Sequence, residues 1–217
     1  MKKIGVVLSG CGVYDGSEIH EAVLTLLAID RQGCEAVCIA PAVDFPVTNH
    51  LTRQETGEKR NTLVESARIA RGNIRDIEGV KAADLDAIIL PGGFGAAKNL
   101  CDFATKGASA HVNPGVARLL KELANAGKPI GAICIAPVVI AAVLGGQLSP
   151  TVTIGNDAGT AAEIEKTGAK HQECTVTGVV LDAKNKLVTT PAYMLATCIS
   201  ETADGIDKCV SEVVKLL

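Results

Sequence analysis

The order of apolar segments along the chain is the feature that most constrains its fold. Short apolar runs alternate with segments of helical periodicity from one end of the sequence to the other. The clearest strand patterns cover residues 4–8, 36–40, 87–90 and 129–133. Strands that alternate with helices form mostly parallel sheets with helices on both faces. We therefore predict an α/β protein with a single domain spanning residues 1–217.

Other segments have less regular patterns. Residues 41–60 show little periodicity and are interpreted as a long loop, which in compact domains is usually functional. Residues 151–154 are predicted to be a strand, and residues 179–181 and 187–189 a hairpin. The last helix is expected over residues 194–217, with a break near Gly205.

The first helix is expected to begin with a capping box formed by Asp15 and Glu18. Its buried face is predicted to be an apolar stripe at helical spacing. The members of that stripe are Ile19, Ala22, Val23, Leu26 and Leu27.

Composition excludes several classes of protein. The net charge is −3 and aromatic residues make up only 2%, so neither a phosphate-binding stripe nor a base-stacking platform is expected. No apolar run reaches the ~18 residues of a membrane span. The first apolar run stops at Ser9-Gly10, so it is interpreted as a strand and not as a signal peptide. Eight scattered cysteines without a Cys-x-x-Cys pair then predict free thiols in the cytoplasm.

Cys134 is the leading candidate for a reactive residue. It stands where a buried strand runs directly into a helix that begins near Pro137. Such a turn exposes its side chain at the carboxyl edge of the sheet, where open α/β sheets bind ligands. The helix N-terminus behind it is expected to lower the pKa of the thiol. The other seven cysteines are interpreted as inert.

Two further segments should lie at the same edge. The loop Pro91-Gly92-Gly93-Phe94-Gly95 follows a buried strand, and its glycines allow backbone N–H groups to approach a ligand as an oxyanion site. Glu18 lies in the first turn of the first helix. Its carboxyl group can either cap that helix or shuttle protons for Cys134, and these two roles compete. Proton shuttling requires a raised pKa of the Glu18 carboxyl group, which burial would supply.

Nucleotide and metal sites are not expected. The glycines at Gly10, Gly12 and Gly16 do not have dinucleotide-loop spacing, and no acidic residue closes the second strand. The histidines and cysteines have no ligand spacing. We expect no cofactor and no metal. His20, His50, His111 and His171 are candidates for a base beside Cys134, but the sequence ranks none of them, and a surface position is the simpler interpretation for each.

Four segments together resemble the ElbB family, whose members are described as isoprenoid-biosynthesis proteins with an amidotransferase-like domain. They are SGCGVYDGSE at 9–18, PGGFGAAKNL at 91–100, ICIAP at 133–137 and TTPAYMLA at 189–196. This family lies within the superfamily of the parkinsonism-associated deglycase and the PfpI protease. The resemblance covers essentially the whole chain.

The resemblance implies a flavodoxin-like three-layer sandwich, similar to class I amidotransferases, that forms a homodimer. It implies that Cys134 is the nucleophile, that Glu18 contacts the thiol, and that Gly92, Gly93 and Ile135 bind the oxyanion. Further pocket positions implied by the same motifs are Cys11, Asn99 and Pro191.

The chain also departs from active relatives. Ile135 stands where PfpI-type proteins have a histidine, Ile154-Gly155 where the deglycase has one, and Thr190-Pro191-Ala192 where class I glutamine amidotransferases have His-Pro-Glu. These differences argue against protease and glutaminase activity.

The resemblance implies that the protein is a glutathione-independent glyoxalase, which converts glyoxal or methylglyoxal to a hydroxy acid through a Cys134 hemithioacetal. The reaction is expected to be slow. A second hypothesis is a cysteine-based redox sensor or accessory protein linked to isoprenoid biosynthesis. A third is an amidohydrolase or glutaminase-like subunit, which needs a histidine near Cys134.

Overall fold

The computed structural model, which describes residues 1–217, is built around a seven-stranded sheet. Eleven strands occur in the chain: β1 (Lys3–Val7), β2 (Glu35–Ala40), β3 (Asp44–Asn49), β4 (Gln54–Asn61), β5 (Arg75–Asp76), β6 (Ala87–Leu90), β7 (Ile130–Ile133), β8 (Thr151–Val152), β9 (Lys170–His171), β10 (Val180–Asp182) and β11 (Leu187–Thr190). Eight α-helices connect them: α1 (Ile19–Arg31), α2 (Thr62–Ile69), α3 (Phe94–Lys98), α4 (Phe103–Lys106), α5 (Pro114–Asn125), α6 (Pro137–Leu148), α7 (Ala158–Lys166) and α8 (Ile199–Lys215).

The central sheet has the strand order β10-β11-β7-β6-β1-β2-β5. All neighbouring strands are parallel except β10 and β11, which form the antiparallel hairpin predicted at that position. Helices cover both faces, so the predicted mostly parallel, flavodoxin-like sandwich is confirmed.

Two apolar layers hold the helices against the sheet. One layer includes buried side chains of α5 and α6, such as Leu119 and Ile140. The other includes Ile29 of α1 and Val210 of α8 on the opposite face. Burial of apolar area is the main favourable term in such a core. No helix in the structure combines the length and the apolar character needed to cross a membrane.

The segment 41–60 is not the irregular loop that was expected. Strands β3 and β4 form an antiparallel hairpin with a register shift between Pro46 and Thr48. Almost every residue of β4 is exposed, so this strand has no apolar alternation that the sequence could reveal.

Two other expected elements differ in extent. The strand expected at 151–154 shortens to β8, which pairs only with β9 outside the main sheet. The last helix begins at Ile199 and is continuous through Gly205, and residues Ala192–Met194 form a separate 3-10 helix. A Cβ at Gly205 would lie 2.9 Å from Thr190 Oγ1, so this glycine permits close packing of α8 on β11 and does not break the helix.

The apolar stripe expected on α1 is only partly buried. Ile19, Val23 and Leu27 are 43%, 48% and 40% exposed. The buried face of the helix instead carries mainly small and polar side chains: Glu21, Ala22, Thr25, Ala28 and Ile29. Small side chains let α1 approach its neighbours closely.

Candidate active site

Cys134 occupies the predicted strand-to-helix turn. It follows β7 directly and has φ = 61°, which is rare for a residue with a side chain. Its N–H donates to the carbonyl oxygen of Thr190 at 2.9 Å, which ties the turn to the end of β11. Backbone strain of this kind persists only where the surroundings impose it, and it is concentrated at functional sites.

The thiol of Cys134 is buried beneath the carboxyl edge of the sheet, with only 7% of the residue exposed. The N–H groups of Gly93 and Ile135 lie close enough to Sγ to favour the thiolate, and the carboxyl group of Glu21 lies next to the thiol. Burial raises the pKa of Cys134 well above its ordinary value, and the charge of Glu21 raises it further. The lowered pKa expected from the helix N-terminus is therefore wrong, because the two N–H groups are outweighed by desolvation.

Glu21 is the carboxylic acid that faces the thiol. Its Oε2 accepts from the N–H of Gly92 at 3.0 Å, and its Oε1 accepts from the N–H of Tyr193 at 3.3 Å. The side chain is fully buried. Burial, followed by the nearby Glu18, raises the pKa of Glu21 to about 8. A proton can therefore be exchanged between this carboxyl group and Cys134 near neutral pH.

Glu18 does not occupy the position that the resemblance assigned to it. It is the N-cap of α1, and its Oε2 accepts from the N–H of Glu21 at 2.7 Å. The capping box with Asp15 is also absent, because Asp15 Oδ2 accepts from the N–H of Thr48 at 2.8 Å. The backbone of Glu18 is extended and its side chain folds back over the first turn, so the residue one turn further along reaches the thiol.

The sequence contains a signal for Glu21 that was missed. Glu21, Thr25 and Ala28 are spaced at i, i+4 and i+7, so they lie on one helix face. All three are buried. A carboxyl group aligned with small residues on a buried face indicates an acid held inside the protein, where a functional role is common.

The glycine loop after β6 contributes one of its two predicted oxyanion groups. The N–H of Gly93, which has φ = 94°, lies close to Cys134 Sγ and favours its thiolate. The N–H of Gly92 is used by Glu21 and its carbonyl oxygen accepts from the N–H of Glu18 at 3.0 Å, so Gly92 holds the acid instead. A Cβ at Gly92 would lie 2.7 Å from Glu21 Oε2 and 3.0 Å from Cys134 Sγ, so only glycine fits between them.

A cavity of about 450 Å³ adjoins Cys134. Its lining combines apolar, aromatic and acidic side chains with the backbone of the glycine loop. The lining residues are Val13, Glu18, Gly93, Phe94, Cys134, Ile135, Asp157, Thr160, Tyr193 and Met194. This volume accommodates a small metabolite.

Cys11, Asn99 and Pro191 do not line this cavity. Asn99 donates to the carbonyl oxygens of Ser9 and Asp15, both at 2.8 Å, and so fixes the loop between β1 and α1. Cys11 is half-buried, and burial followed by the charge of Glu65 raises its pKa. Pro191 is buried next to the 3-10 helix that carries Tyr193.

The four histidines all have partners other than Cys134. His20 Nδ1 lies 2.8 Å from the hydroxyl of Tyr193, and His50 Nδ1 lies 3.0 Å from the carbonyl oxygen of Thr48. His111 pairs with Asp102, and His171 accepts from the N–H of Ile154. No histidine is hydrogen-bonded to the thiol. No cluster of His, Cys, Asp and Glu has the arrangement of a metal site.

Comparison with known proteins agrees with this architecture. The model of the DJ-1/PfpI family matches residues 11–194, and the chain belongs to this family, which includes enzymes such as deglycases and proteases. It is 49% identical to the human "Glutamine amidotransferase-like class 1 domain-containing protein 3, mitochondrial" over 99% of this chain and 83% of the relative. It is 48% identical to the rat "ES1 protein homolog, mitochondrial", with 99% and 84% covered.

Solved structures show the same fold. An isoprenoid biosynthesis protein with an amidotransferase-like domain from Ehrlichia chaffeensis has a TM-score of 0.92 and 38% identity, with 99% of this chain and 100% of that chain covered. The Rapid Encystment Protein of 24 kDa from Francisella tularensis has a TM-score of 0.64 at 14% identity, with 99% of each chain covered, and supports the fold alone.

These relatives contradict the expected cytoplasmic location. The human, rat and zebrafish (Danio rerio) relatives are all named as mitochondrial proteins. Free cysteines and the lack of a signal-peptide pattern, on which the expectation rested, do not distinguish the cytoplasm from other reducing compartments.

Proposed function

We propose that this protein is a cofactor-independent glyoxalase that converts glyoxal or methylglyoxal to the corresponding hydroxy acid. The observation that carries the proposal is the pair formed by Cys134 and Glu21, held under the N–H groups of Gly93 and Ile135 beside a cavity of about 450 Å³. A nucleophile, an acid–base group and oxyanion donors are the three components that this chemistry needs.

The reaction begins with addition of the Cys134 thiol to the aldehyde carbon. A carbon–sulfur bond forms, the thiol proton passes to Glu21, and Glu21 returns it to the former carbonyl oxygen, which gives a hemithioacetal. The N–H groups of Gly93 and Ile135, which lie close to Sγ, stabilise the negative charge on that oxygen during addition.

Glu21 then moves a proton between the two carbons of the substrate. The ionised carboxylate removes the proton from the sulfur-bearing carbon, which gives an enediolate. The hydroxyl proton on that carbon passes to the neighbouring oxygen, and Glu21 returns the first proton to the neighbouring carbon. The product is a thioester of the hydroxy acid. Water cleaves the carbon–sulfur bond, which releases the acid and restores the thiol, so the net change is addition of one water to the dicarbonyl.

The same site predicts a slow enzyme. The pKa of Cys134 is raised by burial and by Glu21, and no histidine contacts the thiol to activate it. Thiolate is the reactive form of cysteine, so only a small fraction of the protein is ready to react at neutral pH.

Within the DJ-1/PfpI family, we propose that the chain belongs to the ElbB branch. The four motifs quoted above and the likeness to the Ehrlichia isoprenoid biosynthesis protein support this placement. A role as an accessory protein in isoprenoid biosynthesis would follow from the same likeness.

The glyoxalase proposal is tested by incubating the purified protein with methylglyoxal and measuring lactate. We expect lactate from the wild type and a loss of at least about 100-fold in Cys134→Ala. Cys209→Ala is the matched control, because Cys209 is also buried but lies in the core between α8 and the sheet. Equal rates in the wild type and Cys134→Ala would contradict the mechanism.

A redox sensor is the second candidate. The N–H groups of Gly93 and Ile135, together with the carboxyl group of Glu21, would hold the oxygens of a Cys134 sulfinic acid. Intact-mass measurement after mild peroxide would favour this role if two oxygens were added at Cys134 without any turnover of aldehyde. The amidohydrolase hypothesis receives no support, because no histidine is hydrogen-bonded to Cys134.

A further inference from the structure

The lining of the Cys134 cavity has a one-sided charge. Glu18 and Asp157 are acidic residues of the lining, and no lysine, arginine or histidine lines the cavity. Each carboxyl group uses one oxygen as a helix cap: Glu18 Oε2 accepts from the N–H of Glu21, and Asp157 Oδ1 accepts from the N–H of Thr160 at 2.8 Å. The second oxygen of Glu18 is left without a hydrogen-bond partner from the protein, whereas Asp157 also interacts with the side chain of Thr160.

Aromatic rings in the lining independently indicate that the cavity favours cations over anions. The chain has only two tyrosines, three phenylalanines and no tryptophan, yet Phe94 and Tyr193 both line this cavity. Phe94 is 48% exposed, and its ring already attracts one cation of the protein, the ammonium group of Lys98, which lies 5.2 Å from the ring centroid outside the cavity lining. Faces of aromatic rings attract cations, and attract ammonium groups in particular when carboxylates are close by.

The positive N-terminal ends of the helices near the cavity do not cancel the negative charge of its lining. The N-termini of α1 and α7 each carry roughly half a positive charge, whereas each capping carboxylate carries a full negative one. The pKa of Asp157 is lowered by hydrogen bonds from Thr160, which keeps its side chain charged at neutral pH. The buried Glu21 at the base adds no positive charge in either protonation state.

We propose that Glu18 and Asp157 select the substrate by charge, so that the Cys134 cavity admits neutral or cationic carbonyl compounds and rejects anionic ones. Compounds whose reactive carbonyl neighbours an ammonium group fit the acidic and aromatic lining, whereas 2-oxoacids and phosphorylated aldehydes meet two carboxylates with no cation to bind them. The inference rests on the proposed function, since it concerns the compounds that reach Cys134.

The test uses thiol reagents that differ only in charge. Methyl methanethiosulfonate is neutral, the 2-(trimethylammonium)ethyl reagent is cationic and the 2-sulfonatoethyl reagent is anionic. The rate of labelling of Cys134 in the whole folded protein is followed by peptide mass spectrometry, and each rate is divided by that of the same reagent with 2-mercaptoethanol. This normalisation removes the intrinsic reactivity of the reagents.

We expect the normalised rate of the cationic reagent to exceed that of the anionic one by about tenfold or more at low ionic strength, and the ratio to shrink with added salt. The double variant Glu18→Gln, Asp157→Asn should bring the ratio close to one, since each amide keeps a capping oxygen. Asp30→Asn is the matched control, because Asp30 is exposed about 18 Å away along α1 and its loss should leave the ratio high.

Two results would overturn the proposal in distinguishable ways. Labelling of Cys134 by the neutral reagent with a normalised charge ratio of one or less would overturn charge selection and leave the glyoxalase proposal intact. Failure of all three reagents to label Cys134 in the folded protein would overturn both proposals, because the thiol would then be closed to substrates.

Discussion

Glu21 shows how the surroundings of a single residue set its chemistry. Two N–H donors hold its carboxyl group beside the Cys134 thiol, yet burial still raises its pKa to about 8. Glu18, three residues earlier, is half-buried and caps the helix. The two acids therefore have separate roles, although they lie only three positions apart at the start of the same helix.

The pH dependence of turnover follows from the raised pKa of Glu21. The ionised carboxylate is the base in the proposed reaction, so lactate formation from methylglyoxal should increase with pH through about 8. The apparent pKa belongs to the Cys134–Glu21 pair as a whole. Initial rates from pH 6 to 9, after subtraction of the Cys134→Ala background, provide the measurement. A rate that is constant or falls over this range would contradict the assignment of Glu21 as the base.

At this scale the sequence predicted the nucleophile but not its acid. Cys134 is recognisable because a strand leads directly into a helix at that residue. The acid depends on which face of α1 meets the sheet, and the large apolar residues of α1 suggested the wrong face. Ile19, Val23 and Leu27 are partly exposed, whereas the smaller Ala22, Thr25 and Ala28 are buried.

Among the elements, β4 and α6 represent the two limits of sequence-based prediction. The α6 helix is apolar almost throughout and was predicted correctly from Pro137 onward. The β3–β4 hairpin was missed because β4 has no apolar residue and is exposed along nearly its whole length, and β3 buries only Phe45 and Val47. The hairpin contributes to the candidate active site only indirectly, through the hydrogen bond that the N–H of Thr48 donates to Asp15.

Two adjacent glycines of α6 should respond in opposite ways to substitution. A Cβ at Gly145 would lie 2.5 Å from the carbonyl oxygen of Thr167, so Gly145→Ala should destabilise the protein by about 1–3 kcal/mol. A Cβ at Gly146 would meet nothing within 4 Å, so Gly146→Ala should stabilise it by about 0.5–1 kcal/mol. Urea unfolding of both variants measures the difference. Equal effects would show that the packing of α6 against the segment before β9 is incorrectly described.

For the whole molecule, the alternation of strands and helices was sufficient to predict the layered sheet. It did not give the order β10-β11-β7-β6-β1-β2-β5, because pairing between distant strands is not encoded in local periodicity. That order brings β7 between β6 and β11, so Cys134, the glycine loop and Tyr193 meet at one edge. A single domain spanning residues 1–217 stays a prediction.

We propose that the whole molecule is a homodimer whose subunits meet through α1. Ile19, Val23 and Leu27 form an exposed apolar row at i, i+4 and i+8, which is typical of an interaction surface. Light scattering should give twice the chain mass of 22.3 kDa for the wild type and a shift towards the monomer for Val23→Lys. Val64→Lys, at an exposed position of α2, is the control and should remain dimeric. A monomeric wild type at micromolar concentration would contradict the proposal.

The partnership of Cys134 with Glu21 is tested most directly by comparing kcat/KM for methylglyoxal in Glu21→Gln and Glu18→Gln. We expect Glu21→Gln to lose about 100-fold or more, because its amide cannot exchange a proton with the substrate, and Glu18→Gln to lose less than about tenfold. Circular dichroism and thermal unfolding of both variants control for folding. Equal losses in the two variants, or wild-type turnover in a folded Glu21→Gln protein, would contradict the account.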